Sequence, residues 1–530
     1  MKDKIIFTNA AIYTMDPQVP RADCVVIDNG RITAVGETAI LTRWVDDTYE
    51  NIDLGGRLVI PGLTDSHTHF AMYSLGLEKV SLEGTQHVKE ALARLQEKAS
   101  SLPAGEWVLG VNWDKNVWPG GKAPTKEDAD NILPKHPLAV VSKCGHLTWA
   151  NSLALKQAGV NKETPDPEGG EIQRYEGSQE PTGILKENAA ALVREIIPTP
   201  TEEQYVKAIK KGMNLAHSLG LVGIHNCEDS HAFKAFQAIH NQGDLPLRVH
   251  HHLAMANLDN AVELGLKSGF GTPTLNIGSL KLFSDGALGS QTASMLEPFE
   301  GSEDDYGIVV HTKEELSVMI KKAARAGISS AVHAIGDRAN QEVLDIFAEC
   351  QNISNQKGLR QRIEHAQLIA PEDFSRFAEL EVIASVQPLH ATSDRRIVDK
   401  HWGQRGRQAY AFKTFLDNGV KSAYGSDVPV ETLDPVKGIF AAVTRRREDD
   451  QTSPPWYPQQ CLSVEEAVHG YTVGAAYAAY QEENLGSLAV GKAADMVVLS
   501  RDIFAIPADE ILSAEVDFTI VDGKVVFARD

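Results

Sequence analysis

The chain has 530 residues, more than one ordinary domain needs, and this length suits a large domain with one or two additions. Hydrophobic residues make up 42% of it, which is enough for a sizeable core and argues against extended disorder. The net charge is −21 and no basic run occurs, so nucleic acids and anionic membrane surfaces are unfavourable partners.

The cysteines and the start of the chain indicate a cellular compartment. Five cysteines lie far apart without a CxxC pair, which disfavours a disulfide framework or a thiolate zinc site and suits a reducing cytosol. The opening residues, MKDKIIFTNAAIYTMD, lack the apolar core of a signal peptide. No apolar run approaches the roughly 20 residues of a membrane span. We therefore expect a cytoplasmic protein.

Both ends of the chain have the pattern of short β-strands. IIFTNAAIYTM, CVVID and RITAVG follow one another near the start, and ADMVVLS and FTIVDGKVVF lie near the end. The Asp-Gly pair inside the last run is a strong hairpin signal. The pattern predicts one small sheet domain built from residues 1–57 and 486–530, with two unrelated sheet appendages as the alternative.

The middle of the chain alternates strands with helices, which predicts a parallel sheet. Helical patterns cover KEELSVMIKKAARAG (313–327) and NQEVLDIFAECQN (340–352). Eight strands would close a (β/α)8 barrel from residues 58–71 and 199–485. A doubly wound open sheet is the alternative, but it usually carries a glycine-rich phosphate loop after its first strand, and none follows here. The predicted strands are LVIPGL (58–63), LVGIHN (221–226), LRVHHHL (247–253), LKLFSD (280–285), SSAVHA (329–334), RIEH (362–365), VIASVQ (382–387) and SAYGSD (422–427).

Residues 72–198 separate the first two barrel strands and are interpreted as an α/β insertion. It follows directly after the first strand, at the end where barrel active sites lie, so it is a candidate lid and specificity domain. Four of the seven tryptophans fall in it, and aromatic rings with one polar edge suit a substrate wall. We predict that Trp113 contacts substrate, and that His146, after a Cys-Gly turn, binds the substrate or an oxyanion. A small core unrelated to chemistry is the alternative.

The segment PGLTDSHTHF (61–70) holds two histidines two residues apart at the end of a strand. Residues i and i+2 of a strand point to the same face, so His67 and His69 can bind one divalent ion together. Four more metal-binding or metal-tuning residues end later strands, and each alone is more often structural. Their recurrence at successive strand ends favours a metal centre; the residues are Lys281, His333, His365 and Asp427. His390 follows the seventh strand and is predicted to contact substrate.

The chain resembles the amidohydrolase superfamily, in the branch close to YtcJ-like proteins and N-substituted formamide deformylases. The resemblance covers essentially the whole chain and implies a barrel accompanied by a β-sandwich. Its motifs are PGLTDSHTHF, NWD (112–114), GHLTWANSLAL (145–155), GGEI (169–172), PTGILKE (181–187), KLFSDGALGS (281–290), HAIGDRA (333–339), RIEHAQ (362–367), SVQP (385–388), GSDVPV (425–430) and LGSLAVGKAADMVVL.

The resemblance also implies roles for the strand-end residues. His67 and His69 would bind the more buried of two ions, with Asp427 beside it. His333 and His365 would bind the second ion. Lys281 would bridge the pair after carboxylation by CO2, because an unmodified ammonium beside two dications would be strongly repelled. One or two divalent ions are therefore expected, with zinc favoured and manganese, iron and cobalt as alternatives.

The activity expected from these residues is hydrolysis of an amide-type C–N bond by a metal-activated hydroxide, with Asp427 moving the proton. The expected partner is a small amide, such as an N-substituted formamide, and a homo-oligomer remains open. A deaminase or a cyclic-amide hydrolase would use the same site. A non-catalytic scaffold is the alternative from another class, but such a protein would be marked by lost ligands, and every ligand position is filled.

Overall fold

The computed structural model describes residues 4–42, 46 and 48–529. The outermost residues of the predicted terminal domain, 1–3 and 530, lie outside this description. The chain forms two compact units, one of Met1–Tyr73 with Ile209–Asp530 and the other of Ser74–Ala208. Among the described helices, none combines the length and apolar character needed to cross a membrane.

The strands of the described residues are numbered in chain order. They are β1 Lys4–Thr8, β2 Ala11–Tyr13, β3 Arg21–Ala22, β4 Cys24–Asp28, β5 Arg31–Gly36, β6 Glu50–Asp53, β7 Leu58–Pro61, β8 Leu63–Thr68, β9 Val80–Ser81, β10 Val108–Trp113, β11 Leu138–Ser142, β12 Leu147–Ala150, β13 Gly170–Arg174, β14 Pro181–Glu187, β15 Leu221–Asn226, β16 Arg248–Ala254, β17 Leu275–Phe283, β18 Ser330–Ala334, β19 Arg362–His365, β20 Ile383–Val386, β21 Ser422–Tyr424, β22 Met496–Leu499, β23 Val516–Val521 and β24 Lys524–Ala528.

The α-helices are numbered in the same way. They are α1 Thr38–Leu41, α2 Phe70–Gly76, α3 Val88–Ser100, α4 Lys126–Asp130, α5 Ser152–Gln157, α6 Ala191–Arg194, α7 Glu202–Ser218, α8 Ser230–Asn241, α9 Leu258–Glu263, α10 Lys313–Ala326, α11 Asp337–Lys357, α12 Phe374–Glu379, α13 Pro388–Ser393, α14 Arg395–His401, α15 Phe412–Asp417, α16 Pro435–Thr444, α17 Val464–His469 and α18 Ala475–Ala478.

The first unit contains an eight-stranded parallel sheet, which confirms the predicted barrel. Strands β8 and β15 to β21 pair in chain order. A parallel bridge between Thr68 and Val428 brings the first and last strands together, so the barrel is nearly closed. Eight parallel strands that close in this way place the carboxyl ends of all strands at one mouth, where barrel enzymes carry their sites.

Helices α10 and α11 form where the apolar periodicity predicted them. Thr312 and Glu315 form a capping box at the start of α10, which satisfies backbone N–H groups that the helix leaves free. Gly327 ends the helix in the left-handed conformation, at φ 89°, which costs glycine little. The turn at Gly327 returns the chain to the barrel wall, where β18 begins three residues later.

The prediction for the first barrel strand was wrong. Residues 58–61 form β7, which pairs with β2 and β22 in another sheet, and the barrel strand is β8. The run 58–63 therefore belongs mainly to the terminal sheets and only reaches the barrel at Leu63. Gly62 lies between the two strands, where a β-carbon would lie 2.5 Å from Val222 of β15. The apolar run is buried in both settings, so its pattern does not reveal the change of sheet.

The two ends of the chain form two smaller sheets, the first from strands near the start alone and the second from strands of both ends. One has the order β5-β4-β1-β6 and the other has the order β24-β23-β22-β7-β2-β3. A single apolar core includes Phe7 and Val25 from the first sheet and Val59 and Met496 from the second. The predicted hairpin joins β23 to β24, with both turn residues at positive φ, 47° at Asp522 and 70° at Gly523.

The second unit, Ser74–Ala208, has a sheet of its own with the order β13-β14-β12-β11-β10-β9. Its main apolar core holds Trp113, Trp118 and Trp149. The Trp113 ring has no exposed area, and its Nε1–H donates to the backbone oxygen of Val140 at 3.0 Å. The prediction that Trp113 lines a substrate wall was therefore wrong, because packing uses its apolar face and Val140 uses its polar edge.

Candidate metal centre

Three predicted ligands converge at the mouth of the barrel. The ligand atoms of His67, His365 and Asp427 all lie within 4.8 Å of one another, and all three residues are buried. They come from β8, from β19 and from the segment after β21, so the barrel brings together residues that are 360 positions apart in the chain. Two imidazoles and a carboxylate form a donor set that zinc and similar ions prefer.

Backbone contacts hold the first and last strands in register at this point. Asp427 N donates to His67 O at 2.8 Å, and His69 N donates to Val428 O at 2.9 Å. Gly425 allows the close approach, since a β-carbon there would lie 2.5 Å from His67 N. Buried Asp65 accepts hydrogen bonds from the amides of His67 and Ser426. The ligands from the two strands are therefore fixed by the barrel seam.

Asp427 is surrounded by imidazoles. Its Oδ1 lies 3.4 Å from Nε2 of His69 and 3.6 Å from Nε2 of His67, and its Oδ2 lies 3.9 Å from Nε2 of His390. Burial by itself raises the pKa of Asp427, but the hydrogen bond from His69 and the nearby imidazoles outweigh it and hold that pKa well below its usual range. The carboxyl is therefore ionised, as a ligand or a proton acceptor requires.

His67 and His365 each have one ring nitrogen occupied by a neighbouring side chain. Nδ1 of His67 lies 2.5 Å from Oε2 of Glu364, and Nδ1 of His365 lies 2.9 Å from Oε1 of Gln387. Both oxygens accept a hydrogen bond, so each Nδ1 carries the ring proton and each Nε2 keeps a free lone pair. Burial, with Lys281 nearby, lowers the pKa of His67 to about 4, so the ring is neutral.

The backbone is strained at two of these residues. φ is 72° at His365 and 59° at Asp427, in the left-handed region that residues with a side chain rarely adopt. His365 ends β19 and Asp427 lies three residues after the end of β21, where the chain turns out of the barrel wall. Such strain is typical of functional sites, where the surrounding structure holds a side chain in place against local preference.

His333 lies beside this cluster but is held differently. Its ring centroid is 4.6 Å from that of His365, while its Nε2 lies 2.8 Å from the backbone oxygen of Gly286. Burial lowers the pKa of His333 to about 3, so it too is neutral. Asp285 accepts hydrogen bonds from the amides of Ile335 and Gly336 and so fixes the loop that follows β18. His333 can therefore offer only Nδ1 to an ion.

Lys281 lies within β17 with only 4% of its surface exposed. Its Nζ is buried and makes no hydrogen bond with any described residue, and it lies 5.0 Å from the centroid of the Phe283 ring. A buried polar group without a hydrogen-bond partner is unfavourable. The bridging role that the resemblance implies for Lys281 stays a prediction.

The residues present fit a divalent metal centre. Among the described residues, three polar atoms that face this cluster are buried without a hydrogen-bond partner: Nε2 of His67, Nε2 of His390 and Nζ of Lys281. Buried polar atoms are nearly always satisfied, so unsatisfied ones call for a ligand or an ion. Nε2 of His67 supplies a lone pair and the carboxylate of Asp427 supplies a negative charge, both of the kind that a divalent cation needs.

The predicted substrate residues have three different outcomes. His390 lies in the first turn of α13, is 7% exposed, and stacks on His365 with ring centroids 6.2 Å apart. It is thus part of the cluster around Asp427. His146 is exposed in the second unit, where its Nδ1 lies 3.0 Å from Glu187, and its contact with substrate stays a prediction. Trp113 belongs to the core of that unit.

The sequence interpretation missed the residues that support the ligands. Glu364, Asp285, Asp65 and Gln387 all contact a candidate ligand or its loop, and none of them was assigned a role from the sequence. A signal for one of them was present, because Arg362 and Glu364 are two charged residues at i and i+2 in a short buried strand. Same-face charges in such a strand must find partners inside the barrel.

The family model described as "Amidohydrolase family" matches residues 50–527 of the chain. The chain belongs to the amidohydrolase family. This agrees with the resemblance that the motifs indicated.

The relatives lie in the expected branch. The chain is 32% identical to putative amidohydrolase YtcJ of Bacillus subtilis, over 99% of this chain and 100% of that one. It is 27% identical to an N-substituted formamide deformylase of Arthrobacter pascens, over 100% and 99%. A solved structure of an uncharacterized metal-dependent hydrolase from Pyrococcus furiosus has a TM-score of 0.79 at 31% identity, covering 94% of this chain and 100% of that one.

Proposed function

We propose that this amidohydrolase hydrolyses an amide-type C–N bond in a small molecule, with an N-substituted formamide as the first candidate. The convergence of His67, His365 and Asp427 at the barrel mouth carries the proposal. The choice of bond is supported by the formamide deformylase to which the chain is similar along its whole length.

The proposed centre holds one or two divalent ions, with zinc as the first candidate. His67, His69 and Asp427 would hold one ion, and Nδ1 of His333 with Nε2 of His365 would hold the other. Lys281, carboxylated by CO2, would bridge them. When bound, such ions supply a water of lowered pKa and polarise the substrate carbonyl.

The protein's own residues would move the proton. Asp427 is ionised and lies at the centre of the imidazole cluster, so it can accept the proton of the attacking water. It can then return that proton to the nitrogen that leaves, which an amide requires because an amine anion is a poor leaving group. His390, whose Nε2 is buried without a partner 3.9 Å from Asp427, is placed to donate to the developing oxyanion.

A panel of substrates tests the proposal. Purified protein is incubated with N-substituted formamides, with cyclic amides, with aminated purines and pyrimidines, and with esters, and the products are identified by mass spectrometry. The proposal expects an acid and an amine from the open-chain amides. Exclusive ammonia release from the aminated bases would point instead to a deaminase, and ring opening alone to a cyclic-amide hydrolase.

A further inference from the structure

Arg362 lies entirely inside the barrel, beneath the candidate metal centre, with no exposed surface. Its guanidinium reaches three strands besides its own. Nη2 donates to the backbone oxygen of Ser66 at 2.8 Å and to Oγ of Ser385 at 2.6 Å, and Nη1 lies 3.0 Å from Nδ1 of His225. A planar group with five donors is suited to such a role. Arg362 therefore ties β8, β15 and β20 to β19 at one level of the barrel.

Glu364 connects this guanidinium to a candidate ligand. Its Oε1 accepts from Nε of Arg362 at 2.5 Å, and its Oε2 accepts both from Nη2 of Arg362 at 3.1 Å and from Nδ1 of His67 at 2.5 Å. Glu364 and His67 are at most 1% exposed. Water therefore cannot replace either partner, and both carboxylate oxygens accept hydrogen bonds from fixed donors.

The consequence for His67 follows from donor and acceptor chemistry. Both oxygens of Glu364 already accept hydrogen bonds from Arg362, so Nδ1 of His67 must be the donor in its contact with Oε2 and carry the ring proton. Nε2 then presents its lone pair, and this atom is buried, has no hydrogen-bond partner and lies 3.6 Å from Oδ1 of Asp427. The contact thus sets both the tautomer of the ring and the direction of its free nitrogen.

We propose that Arg362 and Glu364 are positioning residues, which hold His67 in the one tautomer and orientation that can bind a metal through Nε2. The inference rests on the proposed role of His67 as a ligand. Arg362 holds both oxygens of Glu364 in place, and Glu364 orients the imidazole. Partners of this kind behind a metal-binding histidine tune metal affinity by about 10- to 100-fold.

The chain offers a matched control for a merely structural role. Arg248 and Asp495 form another buried pair in the same unit, bidentate at 2.8 and 2.9 Å and 7% and 6% exposed. Asp495 contacts Arg248 and the amide of Asp522, and neither partner contacts a candidate ligand. Asp495→Asn therefore breaks a comparable pair without touching His67.

The test measures metal affinity and fold stability separately. Metal-free wild type, Glu364→Gln, Glu364→Asp and Asp495→Asn are titrated with zinc in competition with a chelator, and the Tm of each metal-free protein is recorded. We expect zinc binding to weaken 10- to 100-fold in both Glu364 variants. Asp495→Asn should lower Tm at least as much as the Glu364 variants do, while its zinc affinity stays at the wild-type level.

The results distinguish a failure of the positioning role from a failure of the proposed function. Wild-type zinc affinity in a folded Glu364 variant overturns the positioning role, while a wild type that binds no divalent ion overturns the proposed function instead. If neither Glu364 variant folds, the position of the ring proton of His67 in the metal-free wild type decides whether the inference holds. It is measured by long-range ¹H–¹⁵N NMR, with His67→Gln used to assign the signal. A proton on Nδ1 supports the inference, and a proton on Nε2 contradicts it.

Discussion

Nε2 of His333 lies 2.8 Å from the backbone oxygen of Gly286. A carbonyl oxygen only accepts, so Nε2 carries the proton and Nδ1 keeps the lone pair. His365 has the opposite arrangement, because its Nδ1 is held by Oε1 of Gln387 at 2.9 Å. Neighbouring histidines, with ring centroids 4.6 Å apart, therefore keep different ring nitrogens free.

Gln387→Leu should weaken metal binding because it removes the group that fixes His365. Without the acceptor, Nε2 can take the ring proton and lose its free lone pair. We expect zinc affinity to fall about 10- to 100-fold, as for other partners behind metal ligands. Gln460→Leu is the control, since Gln460 is also buried and its side chain bonds to Thr414, away from the candidate ligands. Equal zinc affinity in both variants would argue against a role for Gln387.

Lys281→Ala should lose the bridging group of the centre. We expect lower metal content and loss of activity, with partial recovery when acetate or propionate is added, because a short acid can fill the place of the carboxylated lysine. Lys313→Ala is the control, since Lys313 pairs with Asp345 on the surface of α10 and α11. Elemental analysis and kcat measure the two effects. Normal metal content and activity in Lys281→Ala would rule out the bridge.

Asp427→Asn should separate shape from basicity. The amide keeps the size of the side chain but cannot accept the proton of the attacking water. We expect kcat to fall at least about 100-fold at saturating metal, the low end for general acid–base catalysis. Asp450→Asn, at a surface carboxylate paired with Arg395, serves as the control. A kcat within a few-fold of wild type would remove Asp427 from proton transfer.

The second unit allows packing and substrate binding to be distinguished. Trp113→Ala empties a fully buried site and should destabilise that unit by about 3–5 kcal/mol, measured by denaturant unfolding. His146→Ala changes an exposed residue, so stability and metal content should stay at the wild-type level. If His146 binds substrate, kcat/KM falls in that variant. An unchanged kcat/KM across the substrate panel would leave His146 without a role in recognition.

The sequence predicted most of the barrel because its strands are short apolar runs that end in polar residues. His67 and His69 were predicted to share a face from their i, i+2 spacing, and His333 and His365 were singled out by their recurrence at successive strand ends. Residues 58–61 were assigned to the wrong sheet because a buried strand has the same apolar pattern in either sheet. The pairing of β7 with β2 and with β22 shows which sheet it belongs to, and β22 lies more than 400 positions away in the chain.

The residues that hold the candidate ligands could not be predicted from the sequence for a related reason. Glu364 contacts His67 across 297 positions, and this contact exists only after the barrel closes. Trp113 was misjudged because an aromatic ring suits a core and a substrate wall equally well. Local pattern therefore predicts which residues face the barrel mouth, whereas the partner of each depends on closure.

Metal removal and replacement test the central claim most directly. The protein is stripped with a chelator, and release of the amine from the best N-substituted formamide is followed as zinc, manganese or cobalt is added back. The account predicts no turnover in stripped protein and full recovery at one or two equivalents of an ion. Undiminished hydrolysis by protein shown to hold no metal would contradict it.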